Sequence, residues 1–282
     1  MVNEKIIEHN LNNWTQSPFD KETILEVLNL KDTNNDSFND SFYTDLSFGT
    51  GGMRGIVGVG PNRVNKYTFG RNTQGISNYI NKYSNNKPES VVIAYDCRND
   101  SEYLAKQVAD TFSANNIKVY LFNSIRPTPE LSYAVVKLNC ICGIVLTASH
   151  NPPEYNGYKV YWKDGGQIVP PIDTNLINEI NKTDYSEINF KRNESLVEII
   201  GEEIDNQFIK DSILNGKVGD SKREDYKIVF TPLHGTSYKI LPKVLKVAGY
   251  KDLHVVKEQA IPDGNFPTVK SPNPEEPEAL KM

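Results

Sequence analysis

The stretch Thr147-Ala148-Ser149-His150-Asn151-Pro152-Pro153-Glu154-Tyr155-Asn156-Gly157-Tyr158-Lys159 places a hydroxyl, an imidazole, two amides and an ammonium close together in the chain. A serine beside a histidine reads as a nucleophile with a base, and both acyl and phosphoryl transfer use such a pair. The Gly-x-Ser-x-Gly elbow of an acyl-transfer hydrolase is absent, because Thr147 and Asn151 stand where glycines would be. A phosphoryl-carrying serine suits the surroundings better. Lys159 follows, the Asn-Pro turn offers loop amides, and Arg54 sits among glycines in Phe48-Gly49-Thr50-Gly51-Gly52-Met53-Arg54-Gly55-Ile56. All of these favour an anion. Lys159 could also move a proton if desolvation or cationic neighbours lowered its pKa.

Each residue alone has a plainer reading. His150 would orient a loop, Asn151 and the Asn156-Gly157 dipeptide would make turns, and Lys159 would be a solvated strand lysine. The glycines around Arg54 fit a tight turn as well as an anion site. Asp96 and Arg98 read best as an ion pair tying a loop together. Their joint occurrence at one sheet edge raises the functional reading.

That edge follows from the elements. Val91–Tyr95, Ile117–Phe122 and Ile141–Leu146 are β-rich runs separated by helical patterns at Ser101–Ala114 and Pro127–Leu138, which predicts βαβ units and a parallel sheet. Tyr158–Trp162 returns too soon for a helical crossover and is expected antiparallel. Ligands collect beyond the carboxyl ends of such strands, where Asp96, Arg98, Arg126 and Ser149 fall. Val64–Tyr83 reads as a helix interrupted at Gly70 and Gly75, and Pro170-Pro171 opens another through about Asn181. Cys140 and Cys142, two apart on an expected strand, would share a face as buried thiols; no further ligands stand near them for a metal.

The expected architecture is an α/β/α sandwich around a mixed, mostly parallel four-stranded sheet, followed by an incomplete second domain of the same type. Residues 1–46 form an N-terminal helical extension with Asp20 as a cap, although Asp32–Asn39 reads least like regular structure. Residues 47–198 form the first domain, with the polar run Lys182–Glu198 as the crossing, and 199–282 a partial second domain. That second domain has a helix at Ile204–Leu214, strands at Lys227–Thr231 and Leu253–Lys257, and a helix at Lys239–Ala248.

The chain has 282 residues and a net charge of -5, so bulk charge offers no nucleic-acid surface. No apolar run approaches the roughly 18 residues of a membrane span. The start lacks a signal or transit pattern, and three cysteines are too few and odd for a disulfide framework. These features suit a cytoplasmic protein. His9 and His254 have no chemical neighbourhood in sequence, whereas His150 and His234 do.

The serine stretch closely resembles the phosphoserine loop of the α-D-phosphohexomutases, in their phosphoglucomutase/phosphomannomutase branch. Gly49-Thr50-Gly51-Gly52-Met53-Arg54-Gly55, Tyr95-Asp96-Cys97-Arg98, Pro127-Thr128-Pro129, Thr231-Pro232-Leu233-His234-Gly235, Phe266-Pro267-Thr268-Val269 and Pro272-Asn273-Pro274-Glu275 are similar to other segments of that family. The resemblance implies an intramolecular phosphotransferase that converts glucose 1-phosphate to glucose 6-phosphate through a hexose 1,6-bisphosphate, with glucose 1,6-bisphosphate as activator. Ser149 would carry the phosphoryl group and ligate Mg²⁺, Arg54 would stabilise the group in transfer, and Lys159 would be general acid/base. His150 and Asn151 would support the loop and help bind the hexose phosphate.

The family's Asp-x-Asp-x-Asp-Arg metal loop is missing, since no Asp-x-Asp occurs in the chain. The specificity loop and the last phosphate-binding loop are not found either. The resemblance therefore implies an N-terminal portion, expected to turn over negligibly alone. Alternatives are a phosphomannomutase, a non-catalytic sugar-phosphate binding module, or half of a split enzyme completed by a second chain or a C-terminal portion.

Overall fold

A computed structural model describes residues 2–85, 87–216 and 222–282. Its main sheet is built on β2 (Ser90–Tyr95), β3 (Lys118–Phe122) and β4 (Cys142–Leu146). Both β3 and β4 pair with β2 in parallel. All of β4 is buried, as expected of a parallel strand covered on both faces. β5 (Tyr155–Trp162) returns antiparallel to β4.

With β1 (Gly52–Ile56) and β6 (Val197–Ile200), the sheet has six strands among the described residues, not four, in the order β1-β5-β4-β2-β3-β6. β1 pairs antiparallel with β5, and β6 pairs parallel with β3. Glycine content hid β1, and the polar run before it hid β6. That run does not leave the first sheet at once: it carries Tyr185 and Phe190 across the first domain and then adds the sixth strand.

One face of the sheet is covered by α4 (Lys66–Tyr83), α5 (Ser101–Ala114) and α7 (Ile172–Lys182), through residues such as Phe69, Ile76, Leu104, Phe112 and Leu176. The other face packs on α6 (Thr128–Lys137) and on Ile204 of α8 (Glu202–Asn215). Gly70 and Gly75 do not interrupt α4. A Cβ on Gly75 would lie 2.6 Å from the Ile180 Cα, so this glycine lets α4 and α7 approach closely, and packing outweighs its weak helix propensity. Cys140 and Cys142 do not share a face. The strand begins at Cys142, and the two thiols enter cores on opposite sides of the sheet.

The N-terminal helices α1 (Val2–Trp14), α2 (Lys21–Thr33) and α3 (Asn35–Phe42) pack on the sandwich through an aromatic cluster. Trp14 stacks on Phe19 at 4.3 Å, and Tyr185 meets Trp14 edge-on. The Asp20 carboxylate caps α2 by accepting from the Thr23 amide at 2.8 Å, and such a cap contributes ~1 kcal/mol. Asp32–Asn39 is largely helical. Asn34 caps α3 by accepting from the Ser37 amide, and burial of Phe38 and Phe42 offsets its polar composition.

Beyond α8 lies a two-stranded parallel sheet of β7 (Lys227–Phe230) and β8 (Asp252–Val255), with α9 (Ser237–Val247) between them in sequence. α8 faces both units: Phe208 meets Tyr133 of α6 edge-on, and the Lys239 ammonium of α9 lies 3.3 Å from Asp205. Among the described residues no helix is long and apolar enough to cross a membrane.

Candidate active site

Ser149 lies just beyond β4, at the carboxyl edge of the parallel strands, and its side chain is exposed. Its φ is 57°, a left-handed conformation that a non-glycine residue adopts at a cost of ~1–2 kcal/mol. Strain of this kind persists only where neighbours over-determine it. One such neighbour is Thr147, whose Oγ1 accepts from the Ser149 amide at 3.0 Å. The Ser149 Oγ stands 3.4 Å from His150 Nδ1, close enough for a proton to pass after a small rotation.

Two cations share the face of the sheet beside this loop. In the β1–β5 register Arg54 pairs with Gly157 and Gly52 with Lys159, so Arg54 and Lys159 are diagonal neighbours on one face. Gly157 makes this junction possible, because a Cβ there would lie 2.6 Å from the Thr147 carbonyl and 2.8 Å from that of Met53. Thus Asn156-Gly157 does not form a turn; it lies inside β5, where the backbones of β1, β5 and the serine loop converge. Arg54 Nη1 donates to the Asn151 Oδ1 at 2.8 Å, which joins β1 to the serine loop.

The Lys159 side chain has no hydrogen-bond or ion-pair partner among the described residues. Its pKa is lowered below the ordinary lysine value, first by burial and then by the Arg54 charge, with Asp96 opposing. Both causes disfavour the ammonium. A deprotonated Lys159 is therefore reached at lower pH than on an exposed strand.

The ion pair expected between Asp96 and Arg98 is present at 3.3 Å, but Arg98 does more than tie its own turn. Its Nη1 donates to the carbonyls of Pro152 (2.7 Å) and Tyr155 (2.8 Å), and its Nη2 to those of Asn151 (2.7 Å) and Ser149 (3.2 Å). One buried guanidinium thus gathers the carbonyls of the whole serine loop. Behind it, Ser101 donates to Asp96 at 2.7 Å, and the Asn156 amide donates to Ser101 at 3.0 Å.

Two other candidates belong to the framework. Arg126 stands at the end of β3 as expected, yet it is 1% exposed and grips Asp205 through Nε and Nη2 at 2.6 and 3.1 Å. His234 is buried. Its Nδ1 meets the Ile261 carbonyl at 3.0 Å and its Nε2 the Thr268 hydroxyl at 2.9 Å, which occupies both ring nitrogens.

The magnesium ion expected beside a phosphoserine meets an unsuitable donor set. Around Ser149 stand Arg54, Lys159 and amides, and no group of three or more His, Cys, Asp and Glu that could hold a metal occurs among the described residues. Hard divalent cations take six or more oxygen ligands, including carboxylates. These residues alone do not make a magnesium site, and the serine's chemistry is derived from the two cations and the imidazole.

Comparisons with known proteins match both units of the chain. The family model for phosphoglucomutase/phosphomannomutase α/β/α domain I matches residues 45–187, and that for α/β/α domain II matches residues 206–282. A phosphoglucomutase of Staphylococcus haemolyticus is 40% identical over 245 residues, which is 86% of this chain and 44% of that protein. One from Staphylococcus aureus is 37% identical over the same shares. The chain therefore spans less than half the length of these relatives. A phosphoglucomutase/phosphomannomutase family protein of Burkholderia thailandensis shares the fold, with a TM-score of 0.63 at 22% identity, covering 82% of this chain and 47% of that one.

Proposed function

Since the chain belongs to the phosphoglucomutase/phosphomannomutase family, we propose that Ser149 carries the phosphoryl group of a hexose phosphate mutase reaction. The observation that carries this reading is the strained, exposed serine held on the same sheet edge as Arg54 and the unpaired Lys159. In the donating direction the P–O bond to Ser149 breaks as a P–O bond to a sugar hydroxyl forms. The hydroxyl proton passes to the Lys159 amine, whose pKa burial and the Arg54 charge lower, so that the neutral base forms more readily than on an exposed lysine. The departing Ser149 oxygen regains a proton by way of the His150 ring, whose Nδ1 stands 3.4 Å from it. Arg54 balances charge on the equatorial phosphoryl oxygens, and Asn151 aims it. The second transfer is the reverse, from the other phosphate of the turned bisphosphate, and it returns both protons.

Glucose 1-phosphate is the favoured substrate because the matched curated relatives carry the name phosphoglucomutase. These residues furnish a phosphoryl carrier and its cations but no carboxylate set for magnesium. We therefore assign this polypeptide the serine half-reaction, uptake from glucose 1,6-bisphosphate and return to a hexose phosphate, with negligible mutase turnover by itself. Incubation with glucose 1,6-bisphosphate followed by intact-mass and peptide analysis should find one added phosphoryl group, on Ser149, and none in Ser149→Ala. Failure of the wild type to take up phosphate from this donor would remove the reading. Mannose 1-phosphate and glucose 1-phosphate, offered separately to the phosphorylated chain, test the sugar preference.

A further inference from the structure

The serine loop is held from the second unit as well as from its own. Phe266 is 3% exposed, and its ring packs on the Arg98 guanidinium, 5.3 Å from centroid to Cζ. Ser271 donates its hydroxyl to the His150 carbonyl at 2.8 Å. Between β8 and these contacts the chain presses on the Asp96–Arg98 turn, since a Cβ on Gly264 would lie 2.7 Å from the Asn99 amide and 2.8 Å from the Cys97 carbonyl. The Asn99 and Asn265 side chains are also joined, at 3.0 Å.

This segment is itself anchored. The Asp263 amide donates to the His234 carbonyl at 3.1 Å, and His234 binds the Ile261 carbonyl and Thr268 on either side of it. Gln259 adds a donation to Thr268 at 3.1 Å. Two successive left-handed residues, Leu233 and His234, shape the turn that supplies the imidazole. A continuous path of contacts thus runs from the β7 turn through His234, Asp263, Phe266 and Arg98 to the backbone of Ser149.

We propose that residues 264–271 brace the serine loop, with Phe266 and Ser271 as positioning residues that keep Ser149 in its strained, phosphoryl-accepting conformation. Phe266 acts through Arg98: an aromatic face on a desolvated guanidinium restricts the fork that holds four loop carbonyls. Ser271 acts through the His150 carbonyl and so limits rotation at the residue after the carrier. The consequence for phosphoryl uptake rests on Ser149 being the carrier; the brace itself does not.

The test compares wild type, Phe266→Ala, Phe266→Tyr and Ser271→Ala in the full chain. Hydrogen exchange of peptides spanning 147–157 reads the brace directly. Exchange there should accelerate in Phe266→Ala and Ser271→Ala, while peptides from β2 and α4 stay as in wild type and Phe266→Tyr restores protection. Single-turnover uptake from glucose 1,6-bisphosphate should slow about tenfold in Phe266→Ala and about threefold in Ser271→Ala. Half-saturating donor concentration should change less than about twofold, because a positioning loss falls on the rate. Unchanged loop exchange in both alanine variants overturns the brace, as does accelerated exchange with an unchanged uptake rate when the wild type does take up phosphate. If the wild type takes no phosphate while loop exchange responds as stated, the brace stands and the carrier reading falls. Ser271→Ala, which removes a single hydroxyl, keeps the test open if Phe266→Ala unfolds the second unit.

Discussion

The Arg98 Nη2 donates to the main-chain carbonyl of Asn151 at 2.7 Å, across a gap in sequence that no local pattern spans. The same guanidinium holds the Ser149, Pro152 and Tyr155 carbonyls, and its charge is matched by Asp96. A planar fork with several fixed donors suits this task, and an ammonium on a flexible stem does not. Arg98→Lys should therefore keep the charge but lose most of the grip, slowing phosphoryl uptake by Ser149 about 10- to 100-fold. Arg98→Met should in addition destabilise the fold by ~3–5 kcal/mol, because Asp96 loses its partner in a largely buried setting. Urea unfolding and single-turnover uptake of both variants separate the two effects; equal uptake by Arg98→Lys and wild type would count against the clamp.

Lys159 should set an ascending limb in the pH profile of the half-reaction. Burial and Arg54 lower its pKa, so the neutral amine accumulates at a pH below that of an ordinary lysine. The rate of donation from phosphorylated Ser149 should rise with pH and level off beneath the ordinary lysine range. Removing Arg54 takes away one of the two lowering causes, so in Arg54→Met the limb should move to higher pH and the plateau should fall. Lys159→Arg keeps a cation that cannot deprotonate and should lose both limb and rate, by about 10²–10⁴-fold. Stopped-flow donation to glucose 1-phosphate across pH checks each outcome.

Glu130 and Asp205 are both fully buried beside Arg126, with Lys239 near Asp205. Burial, then the Asp205 carboxyl, pushes the Glu130 pKa well up, whereas hydrogen bonds and charge from its neighbours hold Asp205 down against its own burial. Glu130 is thus protonated in the folded chain at neutral pH and ionised in the unfolded one. The folded state binds the extra proton, so this group's contribution to stability falls as pH rises from the ordinary glutamate range to the raised folded value. Asp205 works in the opposite sense and only at more acidic pH. Glu130→Gln should flatten the decline, which is on the order of 1 kcal/mol per pH unit at its steepest. Urea midpoints of wild type and variant at pH 5.5 and 8 test this; parallel curves would show Glu130 to be ionised in the fold.

Much of this arrangement was legible in the sequence for identifiable reasons. Val91–Tyr95 and Cys142–Leu146 are short, continuous apolar runs bounded by helical patterns, which is the pattern of buried parallel strands between crossover helices. Ser149, Arg54 and Lys159 could be singled out because the hydroxyl falls beyond an expected strand end, the guanidinium sits among glycines, and the ammonium follows in the same polar stretch. β1 escaped because Gly52-Met53-Arg54-Gly55-Ile56 lacks apolar alternation, and its strand state comes from pairing with β5. Arg126 and Arg98 look alike in sequence, each following a strand, yet one is spent on Asp205 and the other on the serine loop. Only tertiary placement of α8 decides that difference. The approach of Phe266 to Arg98 likewise has no sequence signal, since it depends on how the second unit docks.

Two glycines near Arg54 should differ in their response to the same added methyl. At Gly157 a Cβ would meet the Thr147 and Met53 carbonyl oxygens at 2.6 and 2.8 Å, both of them backbone atoms with little room to move. Thr147 also donates its amide to the Gly157 carbonyl at 3.0 Å, so any shift of β5 disturbs the start of the serine loop. Gly157→Ala should cost ~1–3 kcal/mol by overpacking and slow uptake by Ser149, because β1 with Arg54 and the loop with Ser149 are forced apart. At Gly49 the nearest atom to an added Cβ is the Gly52 carbonyl at 3.9 Å, an ordinary contact. Gly49→Ala should leave both stability and uptake near wild type. A Gly157→Ala chain as stable and as active as Gly49→Ala would mean that the approach of β1, β5 and the serine loop does not control the site.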